Sequence, residues 1–312
     1  GAVTLDADVK TLNLDSATAK NTLATLSATG ATAINITGDQ ALVLTTATTN
    51  AAAVITSTST GAVTITSALQ AGVAYTGGAG VDTIKTTTAS TKAVSTGAGD
   101  DVVTYGGPVS TVTAGSIDGG AGTDTIVMTA AQAATATATA TFAASVSNLE
   151  VLKLSDAANN QTINMTNADG INHLDTNGVV TAALTVTNAA ADFTLTQRAA
   201  LAFASSVALK ADTGTADNVN LAYTANDGFT SAAALTIANV ESLKITTTDG
   251  NTSAQTAVIV TPITAAAATT VTVSGNMGVS LIGGMTQTTL TSLDASGLTA
   301  TGGFGGLTWT SG

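Results

Sequence analysis

Three glycine-and-aspartate turns between residues 77 and 124 restrict this chain more than any other feature. They are Gly77-Gly78-Ala79-Gly80-Val81-Asp82, Gly97-Ala98-Gly99-Asp100-Asp101 and Gly119-Gly120-Ala121-Gly122-Thr123-Asp124. Each runs into a short β-type tail: Thr83-Ile84-Lys85, Val102-Val103-Thr104 and Thr125-Ile126-Val127. The first and third fit the nonapeptide G-G-x-G-x-D-x-U-x at every fixed position, U being a large apolar residue. The second has Thr96 where the first glycine would stand.

The composition of the motif has a physical reason. Ca²⁺ is a hard cation that takes about six to eight oxygen ligands. Glycines let the backbone turn its carbonyl oxygens inward, where a Cβ would obstruct. The aspartate adds a carboxylate, and the apolar residue two places on enters the core. The candidate ligands are therefore Asp82, Asp101 and Asp124, the adjoining Asp100, and the turn glycines Gly77, Gly78, Gly80, Gly97, Gly99, Gly119, Gly120 and Gly122. One turn supplies only part of a shell, so successive turns must stack. Half a coil is about nine residues, which sets same-side turns roughly eighteen apart. Asp82 and Asp101 are 19 residues apart, with Thr86 to Ser95 as the opposite half of the coil. Asp101 and Asp124 are 23 apart, which loops out extra residues around Tyr105 to Ser110. This spacing predicts one Ca²⁺ site between the first two turns and a second between the next two.

Composition points the same way. Thr and Ala make up about two-fifths of the 312 residues, and aromatics only 3%. Small branched side chains suit thin, repeated layers better than a large globular core. Eighteen of the acids are Asp and two are Glu, a bias toward turns and hard-metal cages over helix interiors. A net charge of −12 is self-repelling, and bound Ca²⁺ relieves it. Seven Lys and one Arg make no phosphate-neutralising face, which argues against nucleic acid as a partner. With no cysteine, a secreted fold would depend on metal and stacking instead of disulfides. There is no run of eighteen apolar residues to span a membrane and no signal peptide. Strand pattern begins at residue 1, which reads as a piece of something longer.

Two-residue alternation marks strands at 9–14, 32–37, 41–44, 62–66, 183–187, 193–196 and 258–260. Asp15 to Leu26 and Gln197 to Leu209 read as short helices, and Thr129 to Ala144 as a long surface crossing. Two internal repeats support a solenoid. Residues 32–39 match 269–276, and Asn148-Leu149-Glu150-Val151-Leu152-Lys153-Leu154 matches Asn239-Val240-Glu241-Ser242-Leu243-Lys244-Ile245. The second repeat holds both glutamates. It reads as a strand entry in which Glu caps a neighbouring turn and Lys balances it, in preference to a catalytic or metal carboxylate. The segments divide as 1–76, a β-solenoid; 77–127, a calcium-binding β-roll; and 128–312, a second solenoid with the repeats.

Enzymatic chemistry finds little purchase. His173 is the one histidine, and it reads as a solvated turn residue; zinc would need several nitrogen or sulfur ligands. No nucleophile elbow, Walker loop or dinucleotide fingerprint is present. Carbohydrate-processing grooves favour aromatic platforms, and the chain has a single Trp, Trp309. Asp212 to Asn218 is a further cation candidate that lacks the nonapeptide spacing.

The phrases 76–84, 93–101 and 118–124, with 212–223, 239–244 and 271–296, resemble the calcium-dependent surface-layer (S-layer) proteins of Gram-negative bacteria. Those are a branch of the repeats-in-toxin (RTX) proteins. The resemblance implies an all-β chain: an elongated, right-handed parallel β-solenoid or β-roll with Ca²⁺-binding turns. It also implies type I secretion and a bacterial cell-surface lattice made with identical copies. The family's carboxylate ligands fall on Asp82, Asp101 and Asp124. Its lipopolysaccharide-anchoring domain and secretion signal have no counterpart in these residues, so any such anchoring uses a region outside this chain. The expected role is structural and not enzymatic. The alternatives are an adhesin or biofilm filament with a ligand groove, and the calcium-binding part of a secreted enzyme.

Overall fold

Threonine, valine and isoleucine alternate through most of the chain, and such side chains fit a pleated, half-buried surface. The computed structural model describes residues 1–107, 115–158, 160–178, 182–211, 213–250, 257–281, 289–299 and 304–309. The fold is nearly all β, a β-solenoid built of parallel strands. It divides into two compact units, Gly1–Met128 with Thr139–Leu152, and Thr129–Ala138 with Lys153–Gly312.

In the first unit the chain alternates between two ladders, so each coil contributes one strand to each. One ladder holds Ala2–Thr4, Asn21–Ala28, Leu42–Thr49, Val63–Ile65, Asp82–Lys85, Val102–Thr104 and Thr125–Met128. The other holds Thr11–Ser16, Ala33–Gly38, Val54–Ser57, Ala74–Thr76, Ala93–Ser95, Ser116–Asp118 and Val146–Ser147. Register places like residues over like. Leu12, Ile34, Ile55, Tyr75, Val94, Ile117 and Val146 form one inner column. Across the core, Ile84, Val103 and Ile126 form another. Tyr75 is the one aromatic residue in its column, and it is fully buried.

The second unit opens with one ladder of His173–Asp175, Phe193–Gln197, Asn218–Ala225, Ser242–Asp249, Thr270–Gly275 and Ser292–Leu298. A second ladder runs Gln161–Asn164, Leu184–Ala189, Ser205–Leu209, Leu235–Ile237 and Ile263–Thr264. Later coils add a third, Phe229–Thr230, Ile259–Val260, Val279–Leu281 and Leu307–Trp309. The matched segments 32–39 and 269–276 end their strands alike. Gly38 and Gly275 both take positive φ (110° and 125°), a turn that L side chains rarely adopt.

Four local expectations are overturned or refined. Asp15 to Leu26 is not helical: strand Thr11–Ser16 turns through Thr18 (φ 67°) into strand Asn21–Ala28. Gln197 to Leu209 is likewise no helix, since Ser205–Leu209 pairs with its neighbours on both sides. In both segments ladder pairing outweighs weak local helix preference. Thr129 to Ala144, read as a long surface crossing with no element of its own, holds helices α1 (Ala130–Ala136) and α2 (Ala140–Ser145). Alanine is the strongest helix former, and Thr129 and Gln132 close a reciprocal capping box on α1. Tyr105 is not looped out either. It is buried, its N–H donates to the Val127 carbonyl, and its ring meets Phe142 edge-on. Residues 108–110 lie outside the described residues.

Replacing Ile117 with Ala would leave a gap in the inner column with coils packed above and below. We expect a loss of about 2–5 kcal/mol in equilibrium denaturation, the range for truncating a fully buried aliphatic side chain.

Candidate metal centre

The three turns occupy the same corner of consecutive coils, each joining one ladder to the other. The strands that follow them stack in register, Thr83 on Val102 on Thr125, which reproduces the 19- and 23-residue spacings. The turns themselves are bonded through their backbones. Ala98 N–H donates to the Gly78 carbonyl at 2.9 Å, and Ala121 N–H to the Gly97 carbonyl at 2.8 Å. Gly120 has φ 97°, and a Cβ there would collide with the Gly97 carbonyl. Gly119 is held by the same kind of contact and one more. A Cβ on it would collide with the Asn148 carbonyl oxygen, and would also lie 2.6 Å from the Asp124 Cβ, because the aspartate folds back over the opening glycine of its own turn. Asp82 folds over Gly77 in the same way. In the second turn Thr96 fills that place, and its hydroxyl donates to the Gly119 carbonyl at 2.7 Å.

The aspartates form a ladder of their own. Asp82 Oδ1 accepts from Val63 N–H at 3.2 Å, and Asp101 Oδ1 from Asp82 N–H at 2.7 Å. Asp124 Oδ1 accepts from Asp101 N–H at 2.8 Å, and Glu150 Oε2 from Asp124 N–H at 2.7 Å. Each carboxylate thus reaches back one coil to a backbone donor. Asp82, Asp101 and Asp124 are all at least 99% buried. Their outer oxygens differ. Asp82 Oδ2 accepts from the Tyr75 hydroxyl at 2.8 Å, whereas Asp101 Oδ2 and Asp124 Oδ2 are buried with no hydrogen-bond partner.

Burial is the main reason these groups take up a proton more readily than an ordinary carboxylate. It pushes the pKa of Asp82 and of Asp124 up to about 6, against hydrogen bonds that pull the other way and with neighbouring carboxylates adding to the rise. Asp101 is raised for the same first reason. Unpartnered, charge-bearing oxygens in a stack of like charges are the arrangement a hard cation would relieve. The donor set fits one: every available group is oxygen, and glycine carbonyls line the same corner. Among the described residues no group of three or more His, Cys, Asp or Glu side chains converges in metal-binding fashion. A shell here would therefore combine one or two carboxylates with backbone carbonyls. Asp100 stands apart from the buried column. It is exposed, and its Oδ1 accepts from Thr123 N–H at 2.8 Å on the outside of the stack.

The two glutamates occupy equivalent places. Asn148 and Asn239 both adopt positive φ (50° and 53°), and the N–H groups of Glu150 and Glu241 donate to the Asp124 and Asp217 carbonyls. Glu241 Oε2 accepts from Asp217 N–H at 3.1 Å, matching Glu150 on Asp124. Each glutamate does cap the turn one coil earlier. The lysines do not balance them: among the described residues the ion pair is Arg198 with Asp175, at 2.7 Å. The sequence signal was available, since the chain's only glutamates share one heptapeptide. Asp212 lies outside the described residues.

His173 is not a solvated turn residue. It sits half-buried in strand His173–Asp175, with Nε2 2.7 Å from Thr196 Oγ1. Burial lowers its pKa below the usual imidazole value. Its neighbour Asp175 accepts two hydrogen bonds from Arg198, and these two charges act on the imidazole in opposite directions.

A pH dependence follows for protein stripped of divalent cations. Asp82 and Asp124 bind protons more tightly when folded (about 6) than at the ordinary value of 3.8. The resulting stabilisation is complete below that ordinary value and is lost as pH rises through the folded one. The melting temperature of chelated protein should therefore rise on acidification from pH 7.5 to pH 5, as followed by circular dichroism. The sequence matches no known protein family, and no curated protein matches it.

Proposed function

We propose that the chain is a structural, calcium-dependent component of an extracellular bacterial surface lattice, with the stacked glycine turns as its Ca²⁺ sites. The observation that carries this reading is the pair of buried oxygens, Asp101 Oδ2 and Asp124 Oδ2, left without hydrogen-bond partners beside the stacked glycine turns. Calcium there would supply charge neutralisation to carboxylates whose proton affinity burial already raises. The residues present would hold it with the aspartate carboxylates and the carbonyls of the turns beginning at Gly77, Gly97 and Gly119. Their own work is to bring those oxygens together and exclude water from them.

The mechanism is linkage. A cation bound only by the folded chain shifts the equilibrium toward folding by an amount set by its concentration over its dissociation constant. Extracellular Ca²⁺ modules bind at about 10⁻⁴–10⁻³ M. The stack would then be loose in a low-calcium cytosol, which suits export, and rigid outside the cell, where identical copies assemble. Any anchoring to lipopolysaccharide would use a region outside this chain. No catalytic role is part of this reading.

The test pairs spectroscopy with imaging. Chelated protein should lose strand signal in circular dichroism and regain it as Ca²⁺ is added through the submillimolar range. Electron microscopy of the calcium-loaded sample should then show ordered sheets. Single rods that take up a ligand saturably would point instead to an adhesin. Unchanged dichroism in protein shown to be metal-free would end the calcium reading altogether.

A further inference from the structure

Tyr75 breaks the pattern of its own column. Ile34 and Ile55 precede it and Val94 and Ile117 follow, all aliphatic and all buried. A phenol in that position reaches across the core to the opposite ladder, where its hydroxyl donates to Asp82 Oδ2 at 2.8 Å. Both oxygens of Asp82 are thereby engaged, one by Val63 N–H and one by Tyr75. On the next two rungs the equivalent Oδ2 atoms of Asp101 and Asp124 are buried and unpartnered. The nonapeptide around Asp82 is complete, yet its carboxylate is the one already satisfied.

We infer that Tyr75 closes the carboxylate ladder at its first rung, so that the stack takes up divalent cations at Asp101 and Asp124 but not at Asp82. This rests on the calcium reading of the same turns and sharpens it. A cation drawing on Asp82 Oδ2 would have to share that oxygen with the Tyr75 hydroxyl 2.8 Å away or displace it, and displacement would leave the hydroxyl of a residue only 1% exposed buried without a partner. At Asp124 Oδ2 no hydrogen bond stands in the way, and at Asp101 the nearby Thr96 hydroxyl is committed to the Gly119 carbonyl at 2.7 Å. Tyr75 is therefore a residue that sets cation number, and it does so from inside the core without lying in the turn sequence.

The test counts ions. Wild type and the variants Asp82→Asn, Asp101→Asn, Asp124→Asn and Tyr75→Phe would be dialysed to equilibrium against Ca²⁺, and bound metal per chain measured by elemental analysis. Relative to wild type, Asp101→Asn and Asp124→Asn should each lose one ion, and Asp82→Asn none. Tyr75→Phe frees Asp82 Oδ2 and should gain one. Loss of an ion in Asp82→Asn, or no gain in a folded Tyr75→Phe, would overturn the inference while leaving the calcium reading intact. Wild type that binds no calcium would instead remove the calcium reading, and the inference with it. Should Tyr75→Phe fail to fold, the near-isosteric Asp82→Asn still decides the matter.

Discussion

A carboxylate can sit between two coils of this solenoid only because a backbone N–H of the preceding coil points at it. That contact recurs at Asp82, Asp101, Asp124 and Glu150, and again at Glu241 over Asp217. It depends on register: a slip of one residue would turn the acid outward and leave the amide buried without its acceptor. Register in turn depends on columns of Ile, Val and Leu that stack like on like. The polar ladder and the apolar core are thus two consequences of the same parallel stacking. The glycines make the close approach sterically possible, since any side chain at Gly119 or Gly120 would run into the aspartate or the carbonyl beside it.

Much of the fold was legible because the chain is repetitive. Two-residue alternation marks the strands 32–37, 62–66 and 193–196, and all three coincide with ladder members. The 19- and 23-residue aspartate spacings equal the coil lengths at that corner. Parallel stacking converts a spacing along the chain into a position in space, so counting residues was enough. The matched segments 32–39 and 269–276 end in the same positive-φ glycine for the same reason.

What could not be read was side-chain reach. Nothing in Ala74-Tyr75-Thr76 says that a phenol will cross the core to an aspartate seven residues later. That contact requires knowing that the two strands face one another. The glutamates were placed correctly as turn caps but not as continuations of the aspartate ladder. Their longer side chains serve the same donor from a coil with a different offset, 26 residues from Asp124 and 24 from Asp217. Asp15 to Leu26 and Gln197 to Leu209 misled because helix preference is a local signal and ladder pairing is not. The Ala-rich stretch at 129–144 reads as a surface crossing with no element of its own, because threonine dilutes the signal, yet its alanines and the Thr129 cap carry short helices.

The capping glutamates have a consequence for how such a chain can change in length. Every rung joins a residue only to the coil beside it, and Glu150 and Glu241 occupy matching places 91 residues apart, with whole coils between. A coil inserted or excised as a unit would present the same donors and acceptors at both cuts. A change of a few residues within a strand would offend every rung it touches. Genetic drift in such a molecule is therefore quantised: tolerated in coil-sized steps, and resisted in fractions of one.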